Sequence, residues 1–181
     1  MKPKAFLRPD LVSPHGSRKI SKSDSPRACA EALLNGTSLH LSCDYRKGAA
    51  ILSAVEKLSP PPWESDFATR TEHQRQQRTA QMRLSAPIQG HRVSLDNARP
   101  IGFLKELYPE SKDFTLPFPE VQALHGAWRA YKEGSHLAVL GHKVHPFYGT
   151  YVPRRTSHLE LFGTWLSGYK GRRRSAVDVG T

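Results

Sequence analysis

Long apolar runs are missing from this chain. No stretch approaches the roughly 18 consecutive apolar residues of a membrane span, so no helical membrane-spanning role is expected. Hydrophobic residues make up 38% of the 181, enough for a lean core only. Cysteine is scarce as well. Cys29 and Cys43 form no CxxC and have no His pair at zinc-finger spacing. One disulfide remains an open alternative, but two reduced, partly buried thiols fit better and suit a reducing compartment. A cytoplasmic location is the expectation, with organellar targeting the alternative. Acids are few: 16 Asp and Glu against 27 Lys and Arg, for a formal charge of +11. Such a balance favours polyanionic partners, nucleic acid first and acidic lipid second, although bland basic proteins share it.

What is plentiful is punctuation, with 14 prolines and 13 glycines. Residues 1–23 are basic and carry Asp10 as their one acid. Pro3, Pro9 and Pro14 spoil an amphipathic targeting helix there, so a disordered arm is predicted. Asp24 or Ser25 can cap a helix with Pro26 at its first position and Gly36 beyond its end. Ser38–Ser42 reads as a short strand. Ile51, Leu52, Val55 and Leu58 recur at helical spacing over 47–58, and Pro60, Pro61 and Pro62 end that helix. Residues 64–83 form an exposed helix with Arg70, Arg75, Arg78 and Arg83, read first as a solvated face and second as an RNA-contacting one. A hairpin over 85–95 turns near Gly90. Helices follow at 101–108 and 120–132, then a strand at 136–140. A further helix spans 155–169, and a terminal strand 175–179 follows the basic stretch 170–174.

Helices and strands are thus mixed, with no clean βαβ alternation before residue 155. The predicted class is α+β: an N-terminal helix/strand domain over 24–140, a Pro/Gly linker over 141–154, and from 155–181 the start of an incomplete Rossmann-like α/β domain. His142 and His145, with His158 nearby, invite a metal reading. No third ligand or supporting shell is evident, so none is assigned. No nucleophile–base set stands out either.

Two segments carry chemistry. In 141–155, Phe147, Tyr148 and Tyr151 lie among glycines and prolines, with Arg154 and Arg155 behind them. Aromatics on a stiff loop can stack on a purine, and the arginines can meet a carboxylate or phosphate. The bland alternative is a linker whose aromatics plug a seam between subdomains. The last residues, Ala176-Val-Asp-Val-Gly-Thr181, read as a short apolar strand, an acid and a glycine turn. That is how a Rossmann-type sheet opens its first nucleotide-binding turn.

The order of these features resembles class I S-adenosylmethionine-dependent methyltransferases, in particular members with an extra N-terminal region related to small-domain RNA and protein-glutamine methyltransferases. The resembling segments are His145-Pro-Phe-Tyr-Gly-Thr-Tyr-Val-Pro153 with Arg155, the helix beginning Ser157-His-Leu-Glu-Leu161, and the strand 176–181. Ala30-Glu-Ala-Leu-Leu-Asn-Gly36 and Leu39–Tyr45 are similar to that family's opening helix and strand. The resemblance implies that Asp178 and Gly180 hold the methionine end of S-adenosylmethionine. It implies that Tyr148, Pro153 and Arg155 line or brace the site's mouth. It implies methyl transfer to RNA or a translation protein.

The second glycine, the ribose-binding acid and any later Pro-Pro-Tyr-like motif are not in this sequence, so the chain by itself is expected to be inactive. A truncated gene or an incomplete reading frame is the expected explanation. The alternative function is a non-catalytic basic nucleic-acid-binding module that uses the 70–83 arginines, the aromatic loop and the 172–174 run.

Overall fold

The computed structural model describes residues 8–62, 66–137, 141–150 and 156–171. Helix starts are fixed by local chemistry. The Asp44 carboxylate accepts from the Arg46 N–H at 2.6 Å and opens α2, Tyr45–Leu58. Asp66 opens α3, Phe67–Met82, by accepting from the Thr69 N–H at 2.7 Å. Pro26 takes the first position of α1, Pro26–Leu34, where its missing N–H removes no helical bond.

The strands β1 (Arg18–Ile20), β2 (Leu39–Leu41) and β3 (Leu84–Gln89) run parallel in that order. α1 crosses from β1 to β2, and α2 with α3 crosses from β2 to β3. This corrects the expectation of no βαβ alternation before residue 155. β1, only three residues long, falls in the segment read as a disordered arm, so its place beside β2 was not visible in the sequence.

Gly90 and His91 both take positive φ, 57° and 58°, as a type I′ turn requires. They return the chain into β4, Arg92–Val93, antiparallel to β3. β5 (Phe114–Pro117) pairs with β3 from Ser85 to Ile88 on one edge, so β2 and β4 share the other. Pro87 sits where β2 ends and β4 begins. Its carbonyl accepts from the Ser94 N–H at 2.9 Å, so its missing donor faces the junction rather than a continuous ladder.

The core joins alternate residues of the sheet to three helices. Leu39, Leu41, Leu84, Ala86, Ile88 and Leu116 meet Leu33 of α1 and Ile51 and Val55 of α2. Phe118, Val121 and Leu124 of α5 (Phe118–Glu133) close it. Gly48 permits the approach of α2: a Cβ there would lie 2.6 Å from both Leu41 and the Phe118 ring. α4 (Phe103–Leu107) adds Phe103, Leu104 and Leu107. Among the described residues the architecture is a mixed α+β domain, and none of its helices is long and apolar enough to cross a membrane.

Two boundaries differ from expectation. Residues 8–23 are not a disordered arm. Pro9 is buried, with its carbonyl accepting from the Tyr108 hydroxyl at 2.6 Å, and the Val12 N–H reaches the Thr115 carbonyl at 3.0 Å. Ile20 is fully buried in β1. The prolines and charges that suggested disorder suit an extended edge segment, whose pairing partner comes from β2. The expected linker at 141–154 also begins inside the folded domain. β6 (Ser135–Leu137) pairs with β7 (His142–Val144) as a hairpin, and Phe147 and Tyr148 pack on the core.

Candidate functional site

The aromatic loop is fastened at several points. α5 ends at Gly134, at φ 76°, where a Cβ would lie 3.1 Å from the His145 ring. His145 Nδ1 donates to the Tyr131 carbonyl at 2.6 Å. The Phe147 ring meets Phe103 edge-on, with centroids 4.6 Å apart, and Phe103 meets Trp128 at 4.9 Å. The Thr150 N–H then closes a turn onto the Phe147 carbonyl at 3.0 Å. Between α5 and this loop lies a recess of about 520 Å³. Gly126, Ala127 and Ala130 floor it, and Pro146, Phe147 and Gly149 wall it.

Tyr148 is half-buried. Burial pushes its phenol up, Glu120 pushes it the same way, and Arg78 opposes. Glu120 and Arg78 form an ion pair that ties α5 to α3. Tyr148 packs on the core in the vicinity of this pair. Of the residues nominated by resemblance it alone lies among those described; Pro153, Arg155, Asp178 and Gly180 lie outside them, as does the strand 175–179. Phe147 and Tyr148 pack on the core of the described domain.

Beyond the loop, α6 spans Ser157–Gly168 and contributes no buried residue. Leu161 is 73% exposed, and Phe162 and Trp165 are each 57% exposed. Phe162 stacks on Trp165, which meets Tyr169, so the aromatics form a ladder on an open face.

Other chemistry is sparse. Among the described residues no group of three or more His, Cys, Asp or Glu is placed to hold a metal ion. Cys29 and Cys43 are buried and unlinked, and burial pushes the Cys29 thiol up. His40 Nδ1 lies 3.0 Å from the Ser85 hydroxyl, which donates to the Leu39 carbonyl. That pair braces β2 to β3 rather than presenting a nucleophile, and burial pushes the imidazole down. The helix 67–82 does not present free arginines: Arg75 holds Glu72, Arg78 holds Glu120, and Arg83 donates to the Leu33 carbonyl. This favours the solvated face over an RNA-contacting one.

No protein-family model matches the chain, and no curated protein matches it in sequence. The sequence reading grouped cations by proximity along the chain. It missed a set that the fold assembles: Arg92, Lys105, Lys112 and Lys132 line one groove. Their positions carry no shared motif, and only the β3–β4 hairpin, α4, the loop before β5 and α5 bring them together.

Proposed function

We propose that the chain is the N-terminal region of a class I S-adenosylmethionine-dependent methyltransferase, with RNA or a translation protein as methyl acceptor. In this reading, residues from 155 onward begin a Rossmann-like cofactor domain. The observation that carries it is the exposed apolar face of α6, directly after an aromatic Pro/Gly loop. A helix with Leu161, Phe162 and Trp165 open to solvent is built to be covered, and in such enzymes the following sheet covers it.

S-adenosylmethionine would supply an electrophilic methyl group. Asp178 would accept from its ammonium, and Gly180 would let the backbone approach it closely. Arg155 and Pro153 would stiffen the mouth, and Tyr148 would anchor the loop to α3 and α5. Methyl transfer depends on alignment of the acceptor and the methyl group in a water-excluding pocket.

Isothermal titration tests the reading. The 181-residue chain is titrated with S-adenosylmethionine beside a longer chain carrying whatever follows Thr181 in phase. Binding by the longer chain alone is expected. Absence of binding by both overturns the methyltransferase reading.

A further inference from the structure

An open groove of about 810 Å³ lies beside the β3–β4 turn. Its cationic lining residues are Arg92, Lys105, Lys112 and Lys132, and its lining holds no carboxylate. The ion pairs among the described residues all use other cations. Two acids adjoining the groove in sequence have other partners: Asp113 accepts from the Gly90 N–H at 2.8 Å, and Glu133 pairs with Arg129 at 3.5 Å. Positive charge therefore predominates in the lining, although Asp113 and Glu106 adjoin Lys112 and Lys105 in sequence, on a chain that already carries +11.

The floor is different. Pro100, Ile101 and Trp128 make it apolar. Gly102 is what lets Trp128 lie there, since a Cβ at that position would come within 2.2 Å of the indole. The Lys132 ammonium stands 5.9 Å from the same ring centroid, so one cation is held directly over the apolar floor.

We propose that this groove binds single-stranded nucleic acid, with phosphates on the cationic rim and bases against the apolar floor. The combination of spaced cations and a recessed apolar strip fits a chain that alternates charged backbone with flat, weakly polar groups. A bilayer needs several protruding apolar side chains, whereas Ile101 is buried and Trp128 partly so. An acidic polypeptide would use the rim and leave the floor bare. The inference goes beyond the methyltransferase reading and stands without it, because S-adenosylmethionine binding and nucleic-acid binding are measured separately.

The test is fluorescence anisotropy with the full chain and labelled oligouridylate or oligothymidylate, the two arms distinguishing RNA from DNA. The groove variant Lys105→Gln/Lys112→Gln/Lys132→Gln is compared with a charge-matched control, Arg27→Gln/Arg46→Gln/Lys57→Gln. All six side chains are exposed, so folding is expected to survive and is checked by circular dichroism. The groove variant is expected to lose about 10-fold in affinity, and its log-affinity against log-salt slope to shrink by about 2, at roughly 0.7 per phosphate contact on a single strand. The control is expected to lose less than about 3-fold. Equal losses in both variants overturn the proposal, as does absence of binding to both oligonucleotides. Equally tight, groove-dependent binding of poly-glutamate or of phosphatidylserine vesicles also overturns it.

Discussion

The Tyr108 hydroxyl and the Pro9 carbonyl form a buried hydrogen bond of 2.6 Å. It joins the segment before β1 to the end of α4. Burial pushes the Tyr108 phenol well above its ordinary range, so the group stays a donor across working pH. The Arg8 guanidinium sits 5.0 Å from the centre of the same ring and donates to the Leu107 carbonyl.

Tyr108→Phe removes the donor and leaves a buried carbonyl unmatched. The expected loss is about 1–2 kcal/mol, read from urea unfolding. Proteolysis within residues 8–17 should quicken as well. Unchanged stability together with unchanged cleavage would show that the segment is held by other contacts.

Gly48→Ala sets two effects against each other. Alanine gains about 1 kcal/mol in helix propensity. The new methyl group would meet Leu41 and the Phe118 ring at 2.6 Å, and overpacking costs about 1–3 kcal/mol. Because Phe118 and Leu41 are fully buried, they have little room to yield, and net destabilisation is expected. A higher melting temperature for the variant would refute the close approach of α2.

Asp24 is held at about 2 by the Ser21 N–H and hydroxyl, then by Arg18. Its folded-state value lies below the ordinary 3.8. Its contribution is therefore present above pH 3.8 and is lost as pH falls towards 2. Asp24→Asn should flatten the stability–pH curve between those values and leave its shape near neutrality unchanged. Carboxyl carbon NMR of the wild type checks the value directly; a midpoint near 4 would contradict the Ser21 and Arg18 contacts.

Phe162→Glu/Trp165→Glu changes an exposed face of α6, which contributes no buried residue. Thermal stability of the domain should move by less than about 0.5 kcal/mol. Binding of an apolar fluorescent dye and concentration-dependent association should both fall. Loss of the folded domain would mean that α6 is packed against it after all.

Much of the helix pattern was readable in sequence because its causes are local. Asp44 and Asp66 cap, Pro26 starts, Gly134 stops, and Ile51, Leu52 and Val55 repeat at the helical period. The 85–95 hairpin was readable for the same reason, with Gly90 at its turn. β1 and β5 were not, since their partners lie far along the chain, and β7 was not, since it lies in the Pro/Gly-rich stretch read as a linker. Ile20 looks like one apolar residue in a basic arm until Leu41 lies beside it.

The candidate loop was legible as unusual but not in its role. Its glycines, prolines and aromatics stand out along the chain, whereas the docking of Tyr148 near the Arg78–Glu120 pair depends on where α3 and α5 cross. The groove was not legible at all. The sequence by itself determined the basic charge, the capped helices and the α+β class, because composition, capping and periodicity act within a few residues. Only tertiary structure decided which cations are neutralised and which stand together, because a charge is cancelled by its neighbours in space. Arg75 and Arg78 have carboxylates at hand, while Lys105, Lys112 and Lys132 share a groove with none.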